Sequence, residues 1–267
     1  MTVVLRENDW AEQMIASHSL GKKPSETLRR VARYYMDKGY ATKDVRTQLS
    51  SFLLRCDSDA SIPKWQDMLD YAISRASKYR SINIDSISIS DAEMKRIDTL
   101  DGKQIRRLAF TLLCLAKYWE VIIPGGGFWV NNKDNEIMAL ANINTSIKRQ
   151  SAMYWSLREA GMIQFSRRVD NTNVKVLFVE DGETVLHITD FRNLGYQYLM
   201  FHGEPYYECS CCGITAKISN PGNNRKPKYC AECANKIHIQ QTVNSVMKRR
   251  YKNQEPKSNS VCKTNAV

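Results

Sequence analysis

The 267-residue sequence predicts an α+β chain that is mainly α, divided into successive modules. Three observations predict it. Apolar residues recur at helical spacing through the first ~80 residues and again from Leu100 to Ala160; short alternating strands separated by turn residues follow; and five of the eight cysteines fall between Tyr206 and Cys233. The expected boundaries are a helical module at 1–80, a linker at 81–97, a mixed domain at 98–200, a cysteine-rich module with a basic helix at 206–251, and a disordered tail at 252–267.

In the first module, "SETLRRVARYYMDKG" sets Leu28, Val31, Tyr35 and Met36 on one face, with Ser25 as expected N-cap and Gly39 at the C-terminal end. A second helix runs from about Thr42 through Val45, Leu49, Phe52 and Leu53. A third follows Pro63, with Trp65, Met68, Leu69, Ala72, Ile73 and Ala76 as its stripe. This order over Lys22 to Tyr79 is similar to the helical module C-terminal to the primase domain of phage and plasmid replication proteins. The resemblance implies a phage or mobile-element source and a bacterial cytoplasmic setting.

"SINIDSISISDAE" alternates Ile82, Ile84, Ile87 and Ile89 with small polar residues, which suits an extended linker or an edge strand. A long amphipathic helix is then expected through Ile105, Leu108, Leu112, Leu115, Ala116 and Trp119. The glycines of "IPGGGFWVNN" lack the Lys-Ser or Lys-Thr of a phosphate loop and predict a turn between two short strands, "VII" and "FWV". "NEIMALANI" and "IKRQSAMYWSLREAG" predict two helices, the second capped by Thr145 or Ser146 and closed by Gly161. In that second helix Ile147, Tyr154 and Leu157 are expected to face the core, and Lys148, Arg149, Ala152 and Ser156 to face outward. "MIQFSRR", "VKVLFVE" and "TVLHI" predict strands joined by hairpins.

Helices followed by a β-hairpin are the order of a winged helix-turn-helix, which the segment from about Asp98 to Ile188 resembles. The resemblance implies that the third helix enters the DNA major groove and the hairpin lies along the backbone. Lys148 and Arg149 on that helix, and Arg167, Arg168 and Lys175 on the wing, are then the candidate DNA contacts.

Cys209 and Cys212 form one C-x-x-C and Cys230 and Cys233 another, with seventeen residues between them. This spacing fits a four-thiolate Zn2+ site, because two thiolates three residues apart on a tight turn can reach one ion and two such turns complete a tetrahedron. The stretch from Tyr206 to Ala234 resembles a zinc ribbon. Cys211 is the odd thiol and could replace a neighbour, though only Cys209 keeps the two-residue gap to Cys212. A redox dithiol is disfavoured because no thioredoxin-like βαβ pattern surrounds either pair. With four cysteine ligands no coordination position is left for water, so one structural Zn2+ is the expected cofactor.

The formal net charge is +11, and from Ile214 onward eleven Lys or Arg stand against two Glu. Such asymmetry points to a polyanionic partner, DNA first of all. Arg225, Lys226 and Lys228 between the cysteine pairs, and Lys248, Arg249 and Arg250 at the end of a helix after them, join the candidate contacts. The opening "MTVVLRENDWAEQ" has no apolar signal block, and no stretch approaches the ~20 apolar residues of a membrane span, so neither export nor a membrane partner is expected.

Signs of an enzyme are missing. There is no P-loop, nucleophile elbow or H-E-x-x-H; His18, His187, His202 and His238 stand in no motif; Tyr34 and Tyr35 lack the metal-binding histidine pair of strand-transfer enzymes. Glu93 and Lys95, with Asp85 or Asp91, faintly resemble a metal-dependent nuclease triplet. The leading expectation is a non-enzymatic DNA-binding protein acting in replication initiation or transcriptional control. The alternatives are an interaction protein that grips a host replication, transcription or defence complex, and a nuclease or primase accessory. Oligomeric state is not readable from one chain.

Overall fold

The computed structural model describes residues 3–167, 173–219 and 227–254, with side chains given only up to 249. The chain divides into two compact units, Met1–Leu199 and Met200–Val267. Among the described residues no helix is long and apolar enough to cross a membrane.

The first unit opens with four helices: α1 (Glu7–Ala16), α2 (Pro24–Asp37), α3 (Thr42–Cys56) and α4 (Ile62–Ala76). α2 is the hub, and its Leu28, Val31 and Ala32 are fully buried against Val45, Leu49 and Phe52 of α3 and Leu69 and Ala72 of α4. Each buried Leu, Val or Phe contributes roughly 1.5–3 kcal/mol by leaving water. Pro24 supplies the fixed φ suited to a first helical turn, so Lys23 rather than Ser25 flanks the helix and no side chain caps it. Gly39 takes φ 86, as a residue past a helix end often must. α1 had no separate place in the sequence reading. It is held by an ion cluster: Glu7, 2% exposed, accepts from Arg33 Nη1 at 2.6 Å and lies 3.4 Å from Arg30 Nε.

The expected linker at 81–97 is instead folded into the unit. Ile84 N–H donates to the Leu5 carbonyl and Glu7 N–H to that of Ile82. Strand β1 (Ile87–Ser90) then pairs antiparallel with Thr184–Ile188, and helix α5 (Asp91–Asp98) begins on a capping box between Ser90 and Glu93. The alternating isoleucines therefore mark a strand, with Ile87 and Ile89 buried. The expected linker therefore does not separate two compact units.

Helix α6 (Lys103–Ile122) runs through the middle of the second half of this unit. Every residue from Leu108 to Ala116 is buried, so it is a core helix and not the one-sided amphipathic helix expected. Its end absorbs the "VII" predicted as a strand. There follow β2 (Trp129–Val130), α7 (Asp134–Leu140), α8 (Ile147–Glu159), β3 (Ile163–Phe165), β4 (Val174–Val176), β5 (Thr184–Ile188) and α9 (Leu194–Phe201). β2, β4 and β3 form one antiparallel sheet with β4 central. β5, expected to continue the hairpins of this sheet, pairs with β1 instead, because Ile188 is the residue its register buries beside Ile87. Phe110 and Tyr118 of α6 pack on Tyr198 and Phe191, ring centroids 5.5 Å apart in each pair.

The second unit holds the hairpin β6 (Tyr206–Glu208) and β7 (Thr215–Lys217), then α10 (Ala231–Gln254), 24 residues long. The helix starts directly after Cys230 and so includes Cys233, rather than following both cysteine pairs as expected. The expected tail at 252–267 lies almost wholly outside the described residues.

Candidate metal centre and basic surfaces

Each cysteine pair sits where a short element ends. Cys209 follows β6, and a turn closed by Gly213 N–H to the Cys209 carbonyl at 2.8 Å brings Cys212 back beneath it. Gly213 has φ 71, a conformation that an L side chain adopts only with strain, so the turn requires glycine. Cys230 precedes α10 and Cys233 lies in its first turn, which is why both sulfurs share a side. Tyr207 Oη donates to the Tyr229 carbonyl at 2.9 Å, and Ser210 N–H to that of Lys228 at 3.0 Å, tying the two turns together.

The four sulfurs all lie within 4.8 Å of one another, and Cys212 Sγ is 3.8 Å from Cys230 Sγ. A tetrahedral ion roughly 2.3 Å from each sulfur needs sulfurs about 3.8 Å apart, so the spacing suits an ion at the centre. Cys209, Cys230 and Cys233 are buried and Cys212 half-buried. Burial opposes ionisation of Cys209, but the backbone N–H groups of Cys230, Cys212 and Cys211 aim at its sulfur and hold its pKa down at about 6. The nearest of them, Cys230 N–H, donates at 3.3 Å. Shared hydrogen bonding with Cys212 and then burial push Cys233 up. Crowded thiols, one of them already biased to thiolate, form a group that can hold a metal ion. Cys211 is exposed and outside the group.

The candidate phosphate contacts fall into separate places. Lys148 and Arg149 are exposed in the first turn of α8, and neither has a carboxylate partner among the described residues. Arg167 is exposed just beyond β3, and Lys175 is half-buried on β4. In the second unit Lys228 is exposed with its Nζ 5.5 Å from the centroid of the Tyr229 ring, and Lys248 and Arg249 are exposed near the end of α10. Arg250 is the next residue of that helix. Arg168, Arg225 and Lys226 lie outside the described residues.

α8 differs from expectation at its start. Ile147, assigned to the core, is 80% exposed, because the core contact of this helix begins about two turns later, with Met153, Tyr154 and Leu157. Trp155, passed over in the sequence, is half exposed, with Arg158 4.7 Å over its ring and Phe165 5.5 Å away. A tryptophan reads as core in any pattern search, and only the phase of its neighbours on the helix places it outside.

Two other expectations are resolved by contacts. The glycine turn presents its N–H groups to its own chain: Glu120 accepts from Phe128 N at 3.0 Å and from Gly125 N at 2.6 Å. Those backbone bonds, Phe128 foremost, hold the Glu120 carboxyl below its ordinary range. Of the nuclease-like triplet, Glu93 is fully buried and engaged by Lys117, while Asp91 and Lys95 pair at the surface. No family model, no curated protein and no solved structure matches the chain.

Proposed function

We propose that this is a DNA-binding protein in which α6, α7 and α8 with the β2–β4–β3 sheet act as a winged helix-turn-helix and the tetrathiolate group acts as a zinc ribbon. The observation that carries the reading is the exposed, unpaired Lys148 and Arg149 in the first turn of α8. That helix is the second of two consecutive short helices followed by a hairpin. Cations at a helix start can reach phosphates or guanine edges, exposed Ile147 can meet a thymine methyl, and the β3–β4 hairpin with Arg167 and Lys175 can follow the backbone. In this reading Zn2+ fits the all-sulfur donor set, leaves no open position for catalysis, and holds the base from which α10 carries Lys248, Arg249 and Arg250 to further phosphates. Replication initiation or transcriptional control in a mobile element are the proposed settings.

A gel-shift and salt titration on duplex DNA tests it. Lys148→Ala with Arg149→Ala should weaken a preferred site by ~1–3 kcal/mol per base contact and relax preference. Changing Lys248, Arg249 and Arg250 together should weaken all duplexes alike and flatten the salt slope by about three units. One observation favours a second reading, an interaction protein: Ile239, Val243, Val246 and Met247 are exposed along α10 at helical spacing. That reading predicts no duplex shift even at low salt.

A further inference from the structure

A groove of about 770 Å³ opens in the first unit where the segment after α4 passes the end of α6. Its volume falls in the range of ligand sites, and its lining has an unusual sign. Arg29, Arg33, Lys78 and Arg80 all border it, and no acidic side chain does. Glu7 and Glu26 are spoken for by Arg30 and Arg33. Among the described residues Arg29, Lys78 and Arg80 have no carboxylate partner.

Arg33 is 5% exposed with its Nη1 held by Glu7, whereas Lys78 and Arg80 are exposed. A phosphate suits such a lining, since its oxygens accept from the guanidinium fork in pairs. The rest of the lining is largely aromatic and aliphatic: Tyr79, 64% exposed, with Trp119, Ile122 and Ile123. Phosphate-binding cations beside a free aromatic face are the two halves of nucleotide recognition by a single strand.

We propose that this groove binds a nucleotide unit, with the phosphate on Arg29, Arg33 and Arg80 and the base against Tyr79. It is independent of the duplex surface on α8. Arg149 borders the N-terminal end of α6 near Ile105, whereas the groove touches Val121, and sixteen helical residues between them span about 24 Å.

The test uses the full, metal-loaded chain and a fluorescent oligo-dT single strand, with free dTMP as competitor. Arg29→Glu and Arg80→Glu should each lower oligo-dT affinity about tenfold or more, and Tyr79→Ala should lower it while Tyr79→Phe does not. Arg80 and Tyr79 are exposed, so an unchanged melting temperature will show that these variants are folded. The Lys148→Ala, Arg149→Ala variant should keep oligo-dT binding and bind the preferred duplex more weakly, and the groove variants should do the reverse. Competition by dTMP identifies a free nucleotide as the ligand, and competition only by longer strands identifies nucleic acid; both support the site. Failure of the parent to bind either probe at low salt, or unchanged affinity in both charge reversals, overturns it. A parent chain that binds oligo-dT but no duplex would count against the winged-helix reading and not against the groove.

Discussion

Glu93 is the residue whose replacement should cost the first unit most for the smallest change of shape. It is fully buried and accepts three hydrogen bonds: from Lys117 Nζ at 2.6 Å, from Ser90 N at 2.8 Å and from Glu180 N at 3.2 Å. Lys117 also donates to the Ser88 carbonyl at 2.7 Å. One carboxylate therefore joins the start of α5, strand β1, the segment before β5 and the central helix. Glu93→Gln preserves the volume but removes the charge and turns an amide NH2 toward donors. Breaking a buried ion pair from one side costs about 3–5 kcal/mol, since the remaining charge keeps its desolvation cost without its partner. For a unit of this size the unfolding entropy is ~0.4 kcal/mol/K, which converts the loss to a fall of roughly 7–12 °C in Tm. Calorimetry of the parent and variant measures it, with Lys117→Met and the double variant closing a cycle. The two single losses should be far from additive. A Glu93→Gln loss below about 1 kcal/mol, or strictly additive singles, would refute the argument that this pair organises the unit.

Three further outcomes are expected. Cys230→Ser should abolish binding of the one metal equivalent the tetrathiolate group would hold, and leave the second unit open to protease while the first resists; unchanged metal content would remove the ribbon. Tyr118, pushed up to about 12 by burial and then by Glu7, and Tyr154 and Tyr198, raised further by burial together with Asp134 and Asp98, all favour the neutral phenol in the folded state. Their contribution is complete below pH ~10 and should be lost above it, at ~1.4 kcal/mol per pH unit for each, so phenolate absorbance should rise together with unfolding; smooth titration of all tyrosines near 10 in a folded protein would contradict this. Gly195→Ala should destabilise by about 3 kcal/mol, because a Cβ there would overlap the backbone carbonyl of Ala141, and a urea titration showing less than about 0.5 kcal/mol would show that the contact is soft.

Helices were legible wherever one period governed one face. α3 starts at Thr42 as placed, and α4 at Ile62, two residues before the start expected after Pro63, because apolar spacing and a proline are local signals. α1 was not, since its apolar face is thin and its place depends on Glu7 meeting Arg30 and Arg33 from another helix. The 81–97 stretch failed for a related reason. Alternating Ile and Ser describe a strand with one buried face, but whether a partner exists is decided about a hundred residues later, where Ile188 pairs with Ile87.

The candidate sites divide along the same line. Metal ligation is a rule about spacing on a turn, so Cys209, Cys212, Cys230 and Cys233 could be named from the chain alone, and their sulfurs do converge. Even the choice of Cys209 over Cys211 follows, because a two-residue gap lets both thiols point inward from the turn that Gly213 closes. Exposure of Lys148 and Arg149 was legible from helical phase, yet Ile147 was not, since phase says nothing about where the neighbouring core ends. The groove was invisible for a stronger reason. Arg29 and Arg33 come from α2, Lys78 to Ile84 from the strand-like passage after α4, and Trp119 to Ile123 from the end of α6. Each segment alone reads as ordinary surface charge or helix end. The cation-lined groove exists only once three distant stretches have been packed together, so a ligand drawn to it would be recognised by the fold and by no motif.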